Sequence, residues 1–379
     1  MGQKEFDVLK TFQDVLDNRH QYAKDWKAKT GGQVLGGFCT YVPVEVIHAA
    51  GMLPVRVLGN HQNDRISDEY IFGALCPFCH DVLNQGLRGR YDYLDGIVHS
   101  RSCDHLENAF HNWGKYVLTD FSHFIFMPGS IRSPRALPLL LKEYKDFVKA
   151  LGKLNGKQIS DDSLNESIQV HNKNRSMMKE IYEFRKLDEP SITGEECMKM
   201  VVAGQIMDIK EHNKLLEQLL EELPNRKLDR ETGSRLMLVG SENDDVEFLG
   251  MLEQLELTVV VEDSCCGTRA FWDEVVPGDN PLEAIASRYI ERRPCPCFDW
   301  RDRMRPDLIV QLAEEYNVEG AILYGQKFCT PHEYDIPKLK SMLEERGIPT
   351  LVLEFEVTIP FGVLRTRIEA LLEILTLDI

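Results

Sequence analysis

The chain has 379 residues, 43% of them hydrophobic, and a formal net charge of -17 from 44 Lys and Arg against 61 Asp and Glu. That is an acidic globular protein, too long for one compact core. Neutralising phosphates takes a basic face, so nucleic acid is excluded as a natural partner and any phosphate-bearing ligand needs a local basic cluster.

In chain order, residues 5–29 read as charged helix. Residues 33–58 read strand, helix, strand: Val34 to Phe38 is apolar, Pro43 suits a first helical turn, Ala49-Ala50-Gly51 ends the helix, and 53–58 is apolar again. Helix-like sequence covers 71–88, followed by a strand at 94–99, a helix at 104–113 and a strand at 123–127. This βαβ series implies a parallel sheet covered on both faces. From 134 to 230 the pattern is helical, rich in Leu, Lys, Glu and Met, and punctuated by Pro190 and Pro224. Alternation returns with strands at 236–239, 257–261, 320–324 and 350–354, and helices at 244–253, 306–316, 337–346 and 365–375. The expected fold class is α/β: two Rossmann-like lobes with parallel sheets, at 1–133 and 231–379, joined by a helical linker or cap at 134–230. The lobes echo each other, since Tyr91 to Val98 with Cys103 beyond resembles Tyr316 to Ile322 with Cys329 beyond.

The opening Met-Gly-Gln-Lys-Glu-Phe carries no secretory signal pattern, and no apolar run of about 18 residues occurs, so the expectation is a cytoplasmic chain with no membrane span. Ten cysteines in such a chain point to thiol, metal or cluster chemistry over disulfides. Three of them, Cys39, Cys103 and Cys329, fall just past apolar strands. In open α/β sheets the ligand crevice lies beyond the carboxyl ends of the strands, where thiolates from distant parts of the chain can converge on one soft metal centre. The close pairs Cys76/Cys79 and Cys295/Cys297 lack ferredoxin spacing, but together they form a possible Cys₄ zinc set. A thioredoxin-like role for Cys76/Cys79 lacks the strand–motif–helix context. No Gly-x-Gly-x-x-Gly, P-loop or Gly-x-Ser-x-Gly pattern is present, so dinucleotide, ATP and serine-hydrolase readings have no support. Gly36-Gly37 offers either a close backbone approach to a cofactor or a tight turn. His105 and His332 follow strand-end cysteines and are candidate donors to a cluster or substrate, whereas His48 reads as a packing residue. Arg292, Arg293, Arg301, Arg303 and Arg305 form the best local basic cluster for a phosphate-bearing ligand, or a solvated helix face.

The stretch from Gly37-Phe38-Cys39-Thr40 to Gly51, then Ser102-Cys103-Asp104, then Lys327-Phe328-Cys329-Thr330-Pro331-His332-Glu333 resemble the benzoyl-CoA reductase/2-hydroxyacyl-CoA dehydratase family. Asp263 to Arg269, Arg288-Tyr289-Ile290 and Arg365 to Ala370 are similar too, so the resemblance runs over nearly the whole chain. It implies an oxygen-sensitive [4Fe–4S] cluster held by cysteines in a cleft between two α/β lobes, with one iron free of Cys. It also implies a related iron–sulfur subunit as partner, an ATP-hydrolysing activator as electron donor, and an acyl-CoA substrate that is dehydrated or ring-reduced. By matching motif, Cys103 and Cys329 are the implied ligands, and Cys39 and Cys76 compete for the third place. Glu45, His105 and His332 are the candidate proton-handling residues. The remaining cysteines exceed what one cluster needs, which brings in the family's double-cubane branch: homodimeric reductases of small molecules with an [8Fe–9S] cluster and no CoA substrate. A third expectation is a non-enzymatic electron-transfer or zinc-stabilised scaffold that partners an active subunit.

Overall fold

A computed structural model describes residues 7–377 apart from Leu118, Trp300 and Asp302. Its first part runs α1 (Asp7–Asp17), α2 (Arg19–Thr30), β1 (Val34–Gly37), α3 (Val44–Ala49), β2 (Leu53–Arg56), α4 (Pro77–Leu87), β3 (Gly96–Ser100), α5 (Asp104–Tyr116) and β4 (Phe121–Ile125). Four helices follow: α6 (Ala136–Asn155), α7 (Asp161–Glu183), α8 (Gly194–Gly204) and α9 (Ile209–Glu222). The last part runs β5 (Ser234–Gly240), α10 (Val246–Gln254), β6 (Leu257–Asp263), α11 (Thr268–Phe271), α12 (Pro281–Glu291), α13 (Arg305–Glu315), β7 (Gly320–Gln326), α14 (Thr330–Glu344), β8 (Thr350–Phe355) and α15 (Phe361–Thr376).

Two four-stranded parallel sheets result, ordered β2-β1-β3-β4 and β6-β5-β7-β8. The two orders are the same relative to chain direction, as the sequence echo implies. The echo has a physical basis at its acidic position. Asp95, just before β3, accepts a hydrogen bond from the Val34 amide at 2.8 Å, and Glu319, just before β7, accepts one from the Arg235 amide at 2.8 Å. Each carboxylate fastens the start of the central strand of its sheet. The glycine that follows is set beside a leucine of that strand, Gly96 beside Leu35 and Gly320 beside Leu236. A side chain at Gly96 would run into Phe121 of β4, so the residue must be glycine. Strands β1, β3 and β7 are buried along their whole length, which is why they read as near-continuous apolar runs.

The two cores exchange elements. Val8, Phe12 and Val15 of α1 pack in the core of the second sheet together with α8. Ile285 and Tyr289 of α12 pack in the core of the first sheet together with α6. Residues 281–298, expected within the C-terminal lobe, therefore complete the first core. Several expected bounds also shift: α4 begins at Pro77, with proline in its first turn, β4 ends at Ile125, and α14 starts at Thr330 with Pro337 inside it. Gly36 serves packing: a side chain there would meet Leu94 and Val57 at 2.7 and 2.8 Å. No helix among the described residues is long and apolar enough to cross a membrane.

The segment after β2 is tied to the segment after β5 through His61, whose Nε2 lies 2.9 Å from Asp244 Oδ1. Burial opposes charge on this imidazole, but the Asp244 carboxylate overrides it and lifts His61 to about 9. A raised histidine pKa contributes stability below its unfolded value of about 6.5, and that contribution is lost as pH climbs to about 9. His61→Gln is therefore expected to lower the melting temperature at pH 6 and to match the wild type above pH 9. A pH series of thermal melts on both proteins checks this; a gap that persists at pH 9.5 contradicts it.

Candidate metal centre

Helix starts deliver the key thiols. Cys76, Cys103 and Cys329 are the N-cap residues of α4, α5 and α14. A helix N-terminus favours negative charge, so the backbone at each of these positions opposes the cost of placing an anion there. Cys39 lies just beyond β1 and Cys265 just beyond β6, and Cys295 and Cys297 follow α12. Phe328 holds a φ of +64°, uncommon for a bulky side chain, in the turn that presents Cys329.

These thiols meet. Cys39, Cys76, Cys79, Cys103, Cys265, Cys295, Cys297 and Cys329 all line one cavity of about 70 Å³, together with Arg56, Ser241, Glu242, Gln326 and His332. Cys76 Sγ is 3.2 Å from Cys79 Sγ, well beyond a disulfide bond, and all ten cysteines are free. Cys297 is hydrogen-bonded to Cys103 and Cys295, and Cys39 to Ser102, so thiols far apart in the sequence are in contact. Cys197 is buried in the helical core, and Cys266 Sγ donates to Glu242 at 3.4 Å; neither lines the cavity. Among the described residues no three Cys, His, Asp or Glu side chains are placed to hold a single metal ion. The Cys₄ zinc set drawn from the two close pairs is thus not assembled here.

Electrostatics divides the thiols. The Cys79 thiol, helped by His105 and opposed by burial, draws Cys76 down to about 5. Cys297 and then, against burial, Arg269 draw Cys295 down to about 6. Burial pushes Cys39, Cys79, Cys265 and Cys329 upward. Metal ligation by those four must displace protons.

The expected proton-handling residues fall in three different places. His332 touches the cavity: its Nδ1 is 3.3 Å from Cys329 Sγ and its Nε2 is 3.3 Å from Arg269 Nη1. Arginine has no acceptor, so where Arg269 donates to Nε2 the ring proton lies on Nδ1 and points at the Cys329 sulfur; the ring also lies within hydrogen-bond reach of the Gly240 carbonyl. Burial, with Arg269 and Arg305 adding to it, keeps this imidazole neutral, well below its ordinary pKa. His105, half-buried on the first turn of α5, accepts the Cys76 amide at Nδ1, 3.1 Å away. The Cys76 thiolate raises its pKa, but a second proton on the ring would break that amide bond. Glu45 is not brought to the cavity. It is fully buried on α3, bonded to Arg175 and to the Tyr289 hydroxyl at 3.0 Å. Arg175 and Arg288 overcome its burial and hold it far below the usual carboxylate range, a poor setting for a base.

Four of the five arginines of the expected phosphate cluster are engaged within the protein. Arg305 binds Asp263 at 2.6 Å and Asp335 at 2.8 Å, Arg303 pairs with Asp335 at 3.5 Å, Arg292 donates to the Thr40 carbonyl at 2.8 Å, and Arg293 stacks over Trp272. Two further cavity residues are not singled out as ligands in the sequence: Arg56 lies in no motif, and Cys265 lies in the family-like stretch Asp263 to Arg269. Arg56 ends β2 and pairs with Glu242 at 3.2 Å. Both stand at carboxyl ends of strands, so the signal that marks Cys39, Cys103 and Cys329 marks them as well, on β2 and β6. Because Glu45 serves an ion pair buried on both sides, Glu45→Ala is expected to destabilise the fold by about 3–5 kcal/mol at pH 7, measured by urea unfolding; an unchanged midpoint would contradict that placement.

A family model described as "2-hydroxyglutaryl-CoA dehydratase, D-component" matches residues 39–375. The beta subunit of (R)-phenyllactyl-CoA dehydratase from Clostridium sporogenes is 27% identical over 96% of this chain and 97% of its own length. The beta subunit of (R)-2-hydroxyglutaryl-CoA dehydratase from Acidaminococcus fermentans is 26% identical over 97% and 98% of the two chains. A benzoyl-CoA reductase subunit from Thauera aromatica is 24% identical over 88% of each chain. With eight thiols on one cavity at the ends of two parallel sheets and a match that spans nearly its whole length, the chain belongs to the 2-hydroxyglutaryl-CoA dehydratase D-component family.

Proposed function

We propose that this chain is the iron–sulfur subunit of a dehydratase- or reductase-type enzyme and that its eight thiols hold a cluster larger than one cubane, of the double-cubane [8Fe–9S] kind, which would have to spread the roughly 70 Å³ space between them. The observation that carries this reading is the number of thiols on a single cavity. A [4Fe–4S] cluster with one open iron uses three. Sulfurs ringed around a space, with no three at single-ion geometry among the described residues, suit a polynuclear group over zinc. The donor set fits in charge as well, because Arg56 and Arg269 stand among the thiols and three helix N-termini face them. When bound, such a cluster supplies low-potential electrons, and an iron without a protein thiolate polarises a substrate oxygen.

The chain's own residues orient and tune. His332 fixes the Cys329 sulfur through its Nδ1–H, Arg269 favours that tautomer, and His105 steadies the Cys76 amide. The largely apolar wall of Phe78, Leu106 and Pro331 limits water at the sulfurs. The electron donor is an ATP-hydrolysing activator, and the partner is a related subunit or a second copy of the chain. Two of the five arginines of the predicted cluster, Arg303 and Arg305, are committed to internal ion pairs, which favours a small reducible molecule over a CoA ester for this chain. The second reading, a single [4Fe–4S] held by Cys103, Cys329 and either Cys39 or Cys76 in an acyl-CoA dehydratase or benzoyl-CoA reductase, is favoured by the names of the relatives.

Anaerobic purification with iron and acid-labile sulfide analysis separates these. About eight irons per chain are expected for a double cubane and about four for a single cluster. Replacing Cys295 and Cys297 together by alanine should remove about half the iron, while Cys197→Ala should leave it unchanged. Full iron in the Cys295/Cys297 variant, or zinc without sulfide, overturns the larger cluster. A further expectation concerns His332. Hydrogen bonds to cluster sulfurs raise the reduction potential, so His332→Phe should shift the potential to more negative values in a redox titration followed by EPR, with iron content preserved.

A further inference from the structure

Cys39, Thr40 and Arg56 line a second cavity as well, a largely apolar chamber of about 110 Å³. One wall is a single stripe of α7: His171, Asn174, Arg175 and Met178, spaced i, i+3, i+4 and i+7. Ile47 of α3, Met52 and Phe271 supply apolar surface opposite.

Arg288 of α12 stands in this wall at 4% exposure. Its Nε donates to the Asp273 carbonyl at 2.7 Å, and its guanidinium lies over the Tyr289 ring. Among the described residues nothing hydrogen-bonds to either of its Nη nitrogens, and no carboxylate pairs with it. The other charges of the chamber are matched. Arg175 is paired with Glu45, Arg56 with Glu242, and Asp208 accepts the first amides of α9 together with the Trp26 indole N–H. Burial, with Arg175 adding to it, pulls Arg288 down to about 10 against the nearby Glu45 carboxylate, whose oxygens are taken by Arg175 and the Tyr289 hydroxyl. His171 Nε2, and Arg56 Nε and Nη1, are buried polar atoms of the same chamber with no partner among the described residues.

We propose that the chamber is a binding site for a small, largely apolar monocarboxylate, with the acid group taken by Arg288. A guanidinium with two free nitrogens presents the planar fork that matches a carboxylate in bidentate fashion. An apolar cavity of about 150 Å³ holds benzene, so a chamber of about 110 Å³ takes a short acid of propionate or isobutyrate size, not an aromatic acid or a long chain. Bound there, the ligand lies against the wall shared with the eight-thiol cavity, beside Cys39. The site stands on this chain's own side chains and goes beyond the cluster reading.

The test uses isobutyrate and propionate, with isobutyramide and propionamide as neutral counterparts, titrated calorimetrically into the anaerobically purified protein. The acids are expected to bind at least about tenfold tighter than their amides, the amount a charge-assisted fork supplies. Arg288→Gln should erase that preference and Arg288→Lys should restore part of it. Met178→Trp, which fills the chamber from α7, should abolish binding of acids and amides alike. Equal affinity for acid and amide, no binding of either acid, or binding that survives Met178→Trp overturns the proposal. If Arg288→Gln does not fold, the acid–amide comparison on the wild type and the Met178→Trp result still decide. Iron and sulfide content of the same samples reports on the cluster reading separately.

Discussion

Thiolates repel one another, and several of them can be deprotonated around one cavity only where positive potential is built into its walls. The fold supplies that potential twice. The positive ends of α4, α5 and α14 coincide with Cys76, Cys103 and Cys329, so the backbone itself opposes the charge. The guanidinium groups of Arg56 and Arg269 add side-chain charge that cannot be titrated away. Each arginine is in turn anchored, Arg56 by Glu242 and Arg269 by Asp263 at 2.9 Å, so the positive groups cannot turn out to solvent.

That requirement explains why the site needs both sheets. A single parallel sheet brings its carboxyl strand ends to one edge, and β1 and β3 with their following segments supply Cys39 and Cys103. The second sheet repeats the arrangement with Cys265 after β6 and Cys329 after β7. The repeated order and the matching roles of Asp95 and Glu319 give each half the same strand-fastening device. The exchange of α1 and α12 between the two cores makes the halves structurally interdependent. An element of one half cannot be loosened without exposing the other's core.

The sheets and most of the thiols are legible in the sequence for one reason: fully buried parallel strands are apolar along their whole length and so stand out, and the residue just past such a strand is at the crevice. Cys39, Cys103 and Cys329 are visible in that way. Cys265 is harder to see because β6 continues past its apolar run through Glu262 and Asp263, two buried charges that read as the start of a loop. Helix-like sequence begins near 71, but α4 starts only at Pro77, which moves Cys76 from a helix interior to its cap. Other features depend on tertiary pairing and leave no local trace. Glu45 reads as a polar residue beside a family-like cysteine, yet Arg175, 130 residues later, turns it into half of a buried ion pair. The five arginines between 292 and 305 look like a phosphate site until Asp263 and Asp335 claim two of them. Helix α12 has no local mark of its destination, because its apolar face complements a core whose other members lie far earlier in the chain.

The link from Asp263 to Cys329 shows how far a buried carboxylate reaches. Asp263 holds both Arg269 and Arg305, and burial alone would raise its pKa; the two guanidinium groups reverse that and keep it ionised. Held by Asp263, Arg269 offers a nitrogen to His332, and an arginine donating there favours the tautomer with its proton on Nδ1. The remaining ring N–H therefore faces the Cys329 sulfur. A lysine at 269 would keep the charge but lose the planar fork that binds Asp263, the Gly240 carbonyl and His332 together. An uncharged carboxamide at 263 would weaken the anchoring of Arg269 and, through it, free the imidazole to rotate. The hydrogen bond to the sulfur thus depends on a residue two contacts from the imidazole in the chain of bonds, at the end of β6, whereas the cysteine caps α14.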